Sequence, residues 1–144
     1  MKEPVWVPKE VVLATHDMLI SEFGGSPGLR DEGLLDSALA RPMQIFSYGD
    51  PDLFILAAAY VNGIVRNHPF IDGNKRIAFV TGTIFLERNG KTLNALEAEA
   101  AQAILDLATK KLTEKQFTKW LAPPRGGETG GHSRRPLKPK PMSS

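Results

Sequence analysis

The sequence predicts an all-α fold, a compact helical bundle, and three observations support this prediction. Apolar residues recur at helical spacing along most of the chain up to Leu121. No stretch keeps the alternation of apolar and polar residues that is typical of strands, and no internal repeat is visible. The 144 residues, 42% hydrophobic and 24% charged, suffice for one core of ordinary size but not for two.

The first helix is predicted to begin near Pro8, a residue suited to a first helical turn, and to end at Gly24 and Gly25. We place His16 on the polar side of this helix and assign it no role in chemistry. A loop over residues 26–30 follows. The apolar side of the helix comprises Val11, Val12, Leu13, Met18, Leu19 and Ile20.

The second helix is predicted to run from a cap at Asp31 to Pro42, because a proline disrupts the interior of a helix. A connector through Phe46 and Tyr48 follows it. The apolar side of this helix comprises Leu34, Leu35, Ala38 and Leu39.

The third helix is predicted to open at Asp50 and Pro51 and to close at Asn67 or His68. Residues 53–60 within it are apolar on nearly every side, which is typical of a central buried helix.

Local signals also mark the last three helices. The fourth begins near Gly73, so that residues 68–72 form the loop before it, and it stops at Arg88, Asn89 and Gly90. The fifth and sixth start with predicted capping boxes, Asn94 with Glu97 and Thr113 with Gln116.

The composition changes abruptly beyond Ala122, where Pro, Gly, Arg, Lys and Ser dominate. Leu137 and Met142 are the only large apolar residues there, so this segment cannot bury enough surface to fold alone. We therefore expect one domain over residues 1–122 and a disordered, basic Pro/Gly-rich tail over residues 123–144.

Composition and charge exclude several classes of function. The chain has no cysteine, which excludes disulfides, thiolate nucleophiles and cysteine-ligated zinc. The net charge of +2 is small and much of the basic excess falls in the tail, so we do not expect nucleic-acid binding. No apolar run reaches the roughly 20 residues that span a bilayer, and no signal-peptide core follows Met1, which predicts a cytoplasmic protein without a membrane partner.

The most informative segment is residues 68–76, His-Pro-Phe-Ile-Asp-Gly-Asn-Lys-Arg, at the predicted junction of two helices. Phosphoryl or nucleotidyl transfer needs a base for the attacking proton, a ligand for Mg²⁺ and donors that neutralise charge on phosphate oxygens. His68 is the candidate base, because a neutral imidazole can accept a hydroxyl proton. Asp72 offers a hard oxygen ligand for Mg²⁺.

The start of the fourth helix completes the candidate site. Unpaired backbone N–H groups at Gly73 and Asn74 favour a bound phosphate, and Gly73 lets the backbone approach closely. Lys75 and Arg76 add full positive charges beside the same place. Phe70 is expected to anchor the loop in the core.

A structural interpretation of the same residues remains open. The run Asp-Gly-Asn is also a common turn and cap, and a single histidine after a helix is often a hydrogen-bonding residue rather than a base. The complete run within one loop, directly after a buried helix, favours a phosphate-handling site.

The nine residues resemble the signature of the Fic/Doc superfamily, His-Pro-Phe-x-Asp/Glu-Gly-Asn-Gly/Lys-Arg, and Lys75 is typical of its Doc, or death-on-curing, branch. The resemblance extends over residues 24–31, 34–35, 37–42 and 85–90, the last of these at the end of the motif helix, and together they cover most of residues 7–121. It implies the Fic fold, in which a central buried helix leads through the active-site loop into the motif helix, and a protein kinase that uses ATP and Mg²⁺. It implies His68 as the catalytic base, Asp72 as the metal ligand, and nucleotide binding by Phe70, Gly73, Asn74, Lys75 and Arg76.

Two residues depart from the adenylyl-transferring Fic pattern, which continues as Gly-Asn-Gly-Arg-x-x-Arg. Lys75 fills the space that the second glycine leaves for a β-phosphate, and Phe79 stands where the last arginine would hold the γ-phosphate. In Doc-type members the nucleotide is bound in reverse, with its γ-phosphate facing the histidine, so the resemblance implies a kinase. Transfer of AMP is the alternative function, and an inactive Fic-fold binding module is a second alternative.

The resemblance also implies partners. The known target of Doc-type toxins is elongation factor Tu, whose phosphorylation inhibits translation. Restraint comes from a Phd-like antitoxin, whose disordered C-terminus folds across the toxin groove. No self-inhibitory element Ser/Thr-x-x-x-Glu-Gly/Asn is evident, since Gly28 precedes Glu32 by four residues. In the family the N-terminal block shapes the cleft wall and the antitoxin groove, which makes Arg30 and Arg41 secondary candidates.

Overall fold

A computed structural model describes residues 2–93 and 95–123. These residues form six α-helices and no strand, which confirms the predicted all-α bundle. Apart from Pro123, the predicted tail lies outside the described residues. The helices are α1 (Lys9–Phe23), α2 (Glu32–Ser47), α3 (Leu53–Asn67), α4 (Asn74–Arg88), α5 (Glu97–Ala108) and α6 (Glu114–Leu121).

The third helix, α3, is the centre of the bundle, as its apolar sequence predicts. It packs most extensively against α4 and α2, and it also contacts α6 and α5. Residues 56–61 are buried without a break, so this helix meets protein on nearly every side. The largest fully buried side chains of the core include Leu56, Tyr60, Ile64, Ile77, Phe85 and Phe117.

Two glycines allow the central helices to pack closely. A Cβ on Gly82 of α4 would lie 2.6 Å from Val61 Cγ2 of α3. A Cβ on Gly63 of α3 would lie 3.3 Å from both Cα and Cβ of Ala38 in α2. The absence of these side chains sets the spacing on both sides of α3, and thereby the relative positions of the helices that carry the motif.

The prediction that Pro42 ends the second helix is wrong. Pro42 lies buried within α2, which continues to Ser47 and includes Phe46. A proline in a helix interior removes one backbone hydrogen bond and costs about 3 kcal/mol. Packing on both sides of Pro42 offsets this, because Leu39 is buried and Phe46 meets the Trp6 ring edge-on with centroids 5.8 Å apart.

Two further helix starts differ from the prediction. The cap of α3 is Asp52 rather than Asp50, and its carboxylate accepts a hydrogen bond from Ile55 N at 3.0 Å. The fifth helix starts at Glu97, where Leu96 N donates to the Glu99 side chain at 3.3 Å. The predicted cap at Asn94 lies outside the described residues.

The sixth helix starts as predicted, with a reciprocal capping box. Thr113 N donates to Gln116 Oε1 at 2.9 Å, and Gln116 N donates to Thr113 Oγ1 at 3.1 Å. Among the described residues, no helix is both long and apolar enough to cross a bilayer.

The placement of His16 on the polar side of the first helix is also wrong. His16 is 1% exposed and shares the buried face of α1 with Val12 and Leu19, whereas Met18 is 55% exposed. Positions 12, 16 and 19 follow the i, i+4, i+7 spacing of one helix face, so the buried stripe runs through the histidine.

Candidate active site

The nine-residue motif lies where α3 ends and α4 begins, as the sequence predicts. His68 closes α3 in a left-handed conformation, with φ 52° and ψ 54°, and it is exposed. Gly73 precedes α4 with φ 74°, a conformation that glycine adopts without steric cost. The candidate base and the N-terminus of the motif helix are therefore held at the two ends of one short loop.

The side chain of Asn74 holds this loop closed. Its Oδ1 accepts a hydrogen bond from Phe70 N at 2.9 Å, and its Nδ2 donates to Phe70 O at 2.9 Å. The Phe70 side chain is 1% exposed and anchors the loop in the core. Both side chains thus support the loop itself, and the backbone N–H of Asn74 is the part of this residue that lies at the helix N-terminus.

The segment between α1 and α2 braces the loop from outside. Pro69 O accepts hydrogen bonds from Arg30 N at 2.7 Å and Asp31 N at 3.0 Å, and Ile71 N donates to Gly28 O at 3.0 Å. An antiparallel bridge joins Leu29 to Phe70. The conformation of the motif loop therefore depends on a segment about forty residues earlier in the chain.

The guanidinium of Arg30 contacts the end of α3. Its Nε donates to His68 O at 2.7 Å and its Nη2 donates to Asn67 O at 2.9 Å. These carbonyls belong to the last turn of the helix, where a cation is favourable. Arg30 therefore stabilises the backbone that carries the candidate base.

Arg41, the other secondary candidate, pairs with Glu114 of α6. Arg41 Nη1 donates to Glu114 Oε2 at 2.9 Å. Glu114 also accepts a hydrogen bond from Asn62 Nδ2 of α3 at 3.0 Å. This cluster ties α2, α3 and α6 together, which gives Arg41 a structural role.

The Asp72 carboxylate is oriented by two backbone N–H groups. Gly73 N donates to Oδ1 at 2.8 Å and Ser26 N donates to Oδ2 at 3.2 Å. A Cβ on Gly25 would lie 2.8 Å from Oδ2, and Gly25 has φ +114°, so only glycine suits this close approach. Each carboxylate oxygen accepts one of these bonds and keeps lone pairs for a cation.

A single carboxylate of this kind fits Mg²⁺, which proteins often hold through one or two carboxylates together with substrate phosphates and water. No group of three or more metal-ligating side chains occurs among residues 2–93 and 95–123.

The two cations of the motif lie on the first turn of α4. Lys75 is half-buried, and Arg76 is 8% exposed with its guanidinium carbon 4.2 Å from the centroid of the Phe23 ring. This cation–π contact with the end of α1 orients the guanidinium. The positive end of the α4 dipole adds to the same charge.

Phe79, one turn further along α4, faces α6. Its ring lies 6.4 Å from the Trp120 ring between centroids, in a tilted arrangement. This contact engages the Phe79 side chain in packing between helices.

The chain is similar to a known protein family across the motif and the helices around it. Residues 6–86 match the family model described as Fic/DOC family, which includes the whole motif and its supporting segments. The chain belongs to the Fic/DOC family. Two relatives identify its Doc branch.

Protein kinase doc of Escherichia phage P1 is 38% identical to this Fic/DOC chain over 85 residues, which cover 58% of the chain and 68% of the relative. Toxin Doc of Mycolicibacterium smegmatis (strain ATCC 700084 / mc(2)155) is 42% identical over 93 residues, which cover 61% of the chain and 71% of the relative. Both matches extend well beyond the length of the nine-residue motif.

The structure places the motif residues of this Fic/DOC chain together at one helix junction, but the motif does not predict the residues that support them on α1 and in the following loop. His16, Phe23 and Ser26 each contact the motif and were not assigned to the site from sequence. For His16 the helical spacing with Val12 and Leu19 was an available signal. For Phe23 and Ser26 the contacts arise only from tertiary packing.

Proposed function

We propose that this Fic/DOC chain is a Doc-type toxin that transfers the γ-phosphate of ATP to a hydroxyl group of a protein target. The observation that carries this proposal is the pair of side chains at positions 75 and 79. A lysine stands where adenylyl-transferring members have glycine, and Phe79 packs toward Trp120 instead of offering a cation. This supports a reversed nucleotide with its γ-phosphate toward His68.

His68 is the proposed general base. Its exposed position at the end of α3 leaves the imidazole accessible to a target hydroxyl. The neutral ring accepts the hydroxyl proton while the oxygen forms a bond to the γ-phosphorus, and the bond from that phosphorus to the bridging oxygen breaks. The products are a phosphorylated target and ADP.

The start of α4 is the proposed phosphate-binding element. The Gly73 N–H, expected to be unpaired, donates to Asp72 Oδ1. The backbone N–H groups that follow it in the first turn, together with Lys75 and Arg76, place positive charge where the phosphate oxygens gain negative charge. The stacking of Arg76 on Phe23 fixes its guanidinium in advance, which lowers the entropy lost on binding. Asp72 would hold Mg²⁺, which neutralises phosphate charge when it is bound.

The proposed target is elongation factor Tu, and the proposed regulator is a Phd-like antitoxin. Support comes from the Doc branch, since one relative is named a toxin and another a protein kinase. A target in the translation machinery would place this chain in the cytoplasm.

The test is intact-mass measurement of purified elongation factor Tu after incubation with the protein, ATP and Mg²⁺. A mass gain of one phosphate, absent with His68→Ala, is the expected result. A gain of one AMP would replace the kinase with an adenylyltransferase. An unchanged mass for this target and for the other proteins of a cell extract would favour a binding module without activity.

A further inference from the structure

One face of α1 lies directly against the motif. Residues 16, 20 and 23 follow the i, i+4, i+7 spacing, and each is close to a different part of residues 68–76. His16 reaches Asp72 and Phe70, and Phe23 stacks on Arg76. The Ile20 Cδ1 atom lies 3.4 Å from the place a Cβ on Gly73 would occupy. Helix α1, which lies about fifty residues before the motif in the chain, thus supports the motif.

His16 makes the most specific of these contacts. Its Nε2 lies 2.8 Å from the carbonyl oxygen of Asp72. Because a carbonyl oxygen only accepts, Nε2 must carry the hydrogen and donate it. The ring also stacks on Phe70, with centroids 3.8 Å apart and planes inclined by 13°.

Packing alone does not explain a histidine at this buried position. An apolar ring of similar size would cover Phe70 equally well and would fit the stripe between Val12 and Leu19. The donor is needed for the Asp72 carbonyl, because a polar backbone group in a partly buried loop destabilises the folded protein when it has no hydrogen-bond partner. The N–H donor of His16 therefore serves the motif loop rather than the packing of α1.

The Asp72 backbone matters because two functional groups depend on it. The Asp72 carboxylate is the only side chain proposed to bind Mg²⁺, and Gly73 is the next residue, at the positive end of α4. A rotation of the peptide between Asp72 and Gly73 would displace both groups together. His16 Nε2 donates a side-chain hydrogen bond to that peptide oxygen.

We propose that His16 is a positioning residue of the transfer reaction, which fixes the Asp72–Gly73 peptide and thereby the site for Mg²⁺ and the nucleotide phosphates. This proposal rests on the proposed function, in that the motif must bind ATP with Mg²⁺. His16 does not touch the reacting atoms. Its loss should weaken nucleotide and metal binding while the fold persists.

Two substitutions separate the donor from the ring. His16→Phe keeps an aromatic ring against Phe70 and removes the donor, whereas His16→Gln keeps a donor of similar reach and removes the ring. Val12→Ala is the matched control, because Val12 lies on the same buried face of α1 one turn away from the contact. The cavity that Val12→Ala leaves should lower Tm without changing the site.

The measurement is the affinity for ATP with Mg²⁺, together with the Mg²⁺ concentration that gives half-maximal binding, in a background that carries His68→Ala. This background gives a binding readout that does not depend on which group is transferred, so a failure of the kinase proposal and a failure of the His16 proposal are distinguishable. Thermal unfolding of each variant is recorded alongside.

We expect His16→Phe to weaken binding and to raise the Mg²⁺ requirement by about 10 to 100-fold, the usual effect of losing a residue that orients a metal ligand. His16→Gln should stay within about threefold of the parent even if its Tm falls further, since the donor is what matters. If His16→Phe does not fold, His16→Ala, which removes both the donor and the ring, takes its place in the comparison with His16→Gln. The proposal would be overturned if the affinity for ATP with Mg²⁺ falls in parallel with Tm across all variants, so that His16→Gln binds as weakly as His16→Phe or His16→Ala.

Discussion

At the scale of single residues, the conformation of His68 is the feature most directly tied to the proposed reaction. A residue with a side chain rarely adopts the left-handed region, and doing so costs roughly 1–2 kcal/mol. The protein maintains it at the end of α3, where His68 N donates to Ile64 O at 3.0 Å and Arg30 holds His68 O. The backbone is therefore strained at the candidate base.

This conformation makes two substitutions of His68 informative. Both His68→Ala and His68→Gly should lower turnover by about 10² to 10⁴ through loss of the base, with nucleotide affinity nearly intact. His68→Gly should also be more stable than His68→Ala by about 1 kcal/mol, because glycine relieves the strain. Turnover assays and denaturant unfolding measure the two effects. Near wild-type turnover in both variants would exclude His68 as the base.

A second prediction concerns Lys75. If this side chain blocks the forward pose of the nucleotide, Lys75→Gly should reopen it and shift the product toward AMP transfer. The shift should be larger when Phe79→Arg is added, although the loss of the Trp120 contact will lower stability. Mass analysis of the modified target distinguishes the two products. Unchanged phosphate transfer with no AMP product would contradict the steric argument.

The residue scale also shows where sequence reasoning succeeds and where it fails. The motif residues are adjacent in the chain, so a single pattern predicts them all. The contacts of Phe23 and Ser26 join residues separated by about fifty and forty-six positions, and no local pattern contains them. The burial of His16 follows from its helical spacing, but the polarity of its side chain wrongly indicates the exposed side of α1.

At the scale of helices, the α3–α4 pair determines where the two ends of the motif lie. These helices lie close together at Gly82, whose missing side chain accommodates Val61. In most exposed helices a change from glycine to alanine is favourable by up to about 1 kcal/mol. Here the added methyl group would meet a buried branched side chain that has little freedom to move.

We therefore predict that Gly82→Ala destabilises the protein by about 1–3 kcal/mol, the usual cost of overfilling a packed core. Gly33→Ala is the matched control, because Gly33 is also helical but exposed, and its nearest neighbour would be 3.4 Å away. The control should be neutral or slightly stabilising. Denaturant unfolding gives both values, and equal stabilisation of the two variants would contradict the close packing of α3 and α4.

Helix boundaries were predictable where the signal is local. The Thr113 capping box and the stop after Arg88 both rest on residues within one turn, and the structure has them as predicted. Pro42 failed as a stop signal, because the tertiary contacts of Leu39 and Phe46 outweigh a local preference. The sequence therefore predicted which helices exist more securely than where each one ends.

At the scale of the whole molecule, Tyr60 connects the N-terminal segment to the central helix. Its hydroxyl accepts a hydrogen bond from Val7 N at 3.1 Å in the core. Tyr60→Phe leaves this buried N–H without its partner and should cost about 1–3 kcal/mol at neutral pH. Tyr48→Phe is the control and should have no measurable effect, because Tyr48 is 90% exposed.

The buried hydroxyl of Tyr60 should also make the stability of the protein depend on pH in the alkaline range. Burial raises the pKa of Tyr60 above the ordinary value of 10.0, and this outweighs the lowering by the Val7 hydrogen bond and by Arg88. Above that pH the unfolded chain loses the phenolic proton while the folded protein retains it, so the unfolded state binds fewer protons and stability falls as pH rises. Tyr60→Phe should lack this part of the decline, as Tm measured against pH will show. Parallel declines in both proteins would contradict the assignment.

For the molecule as a whole, the composition and periodicity predicted one helical bundle with α3 at its centre, and the structure confirms both. The association of α1 with the motif was not predictable, because it depends on how helices far apart in the chain pack. The boundary between the domain of residues 1–122 and the tail of residues 123–144 stays a prediction.

Labelled ATP distinguishes the proposed transfer of the γ-phosphate from transfer of AMP. Purified elongation factor Tu is incubated with the protein, Mg²⁺ and ATP that carries the label at either the γ- or the α-phosphorus, with His68→Ala as the control. We expect the target to acquire label from γ-labelled ATP only, and His68→Ala to abolish this labelling. Label acquired from α-labelled ATP would contradict γ-phosphate transfer and assign AMP transfer to this site.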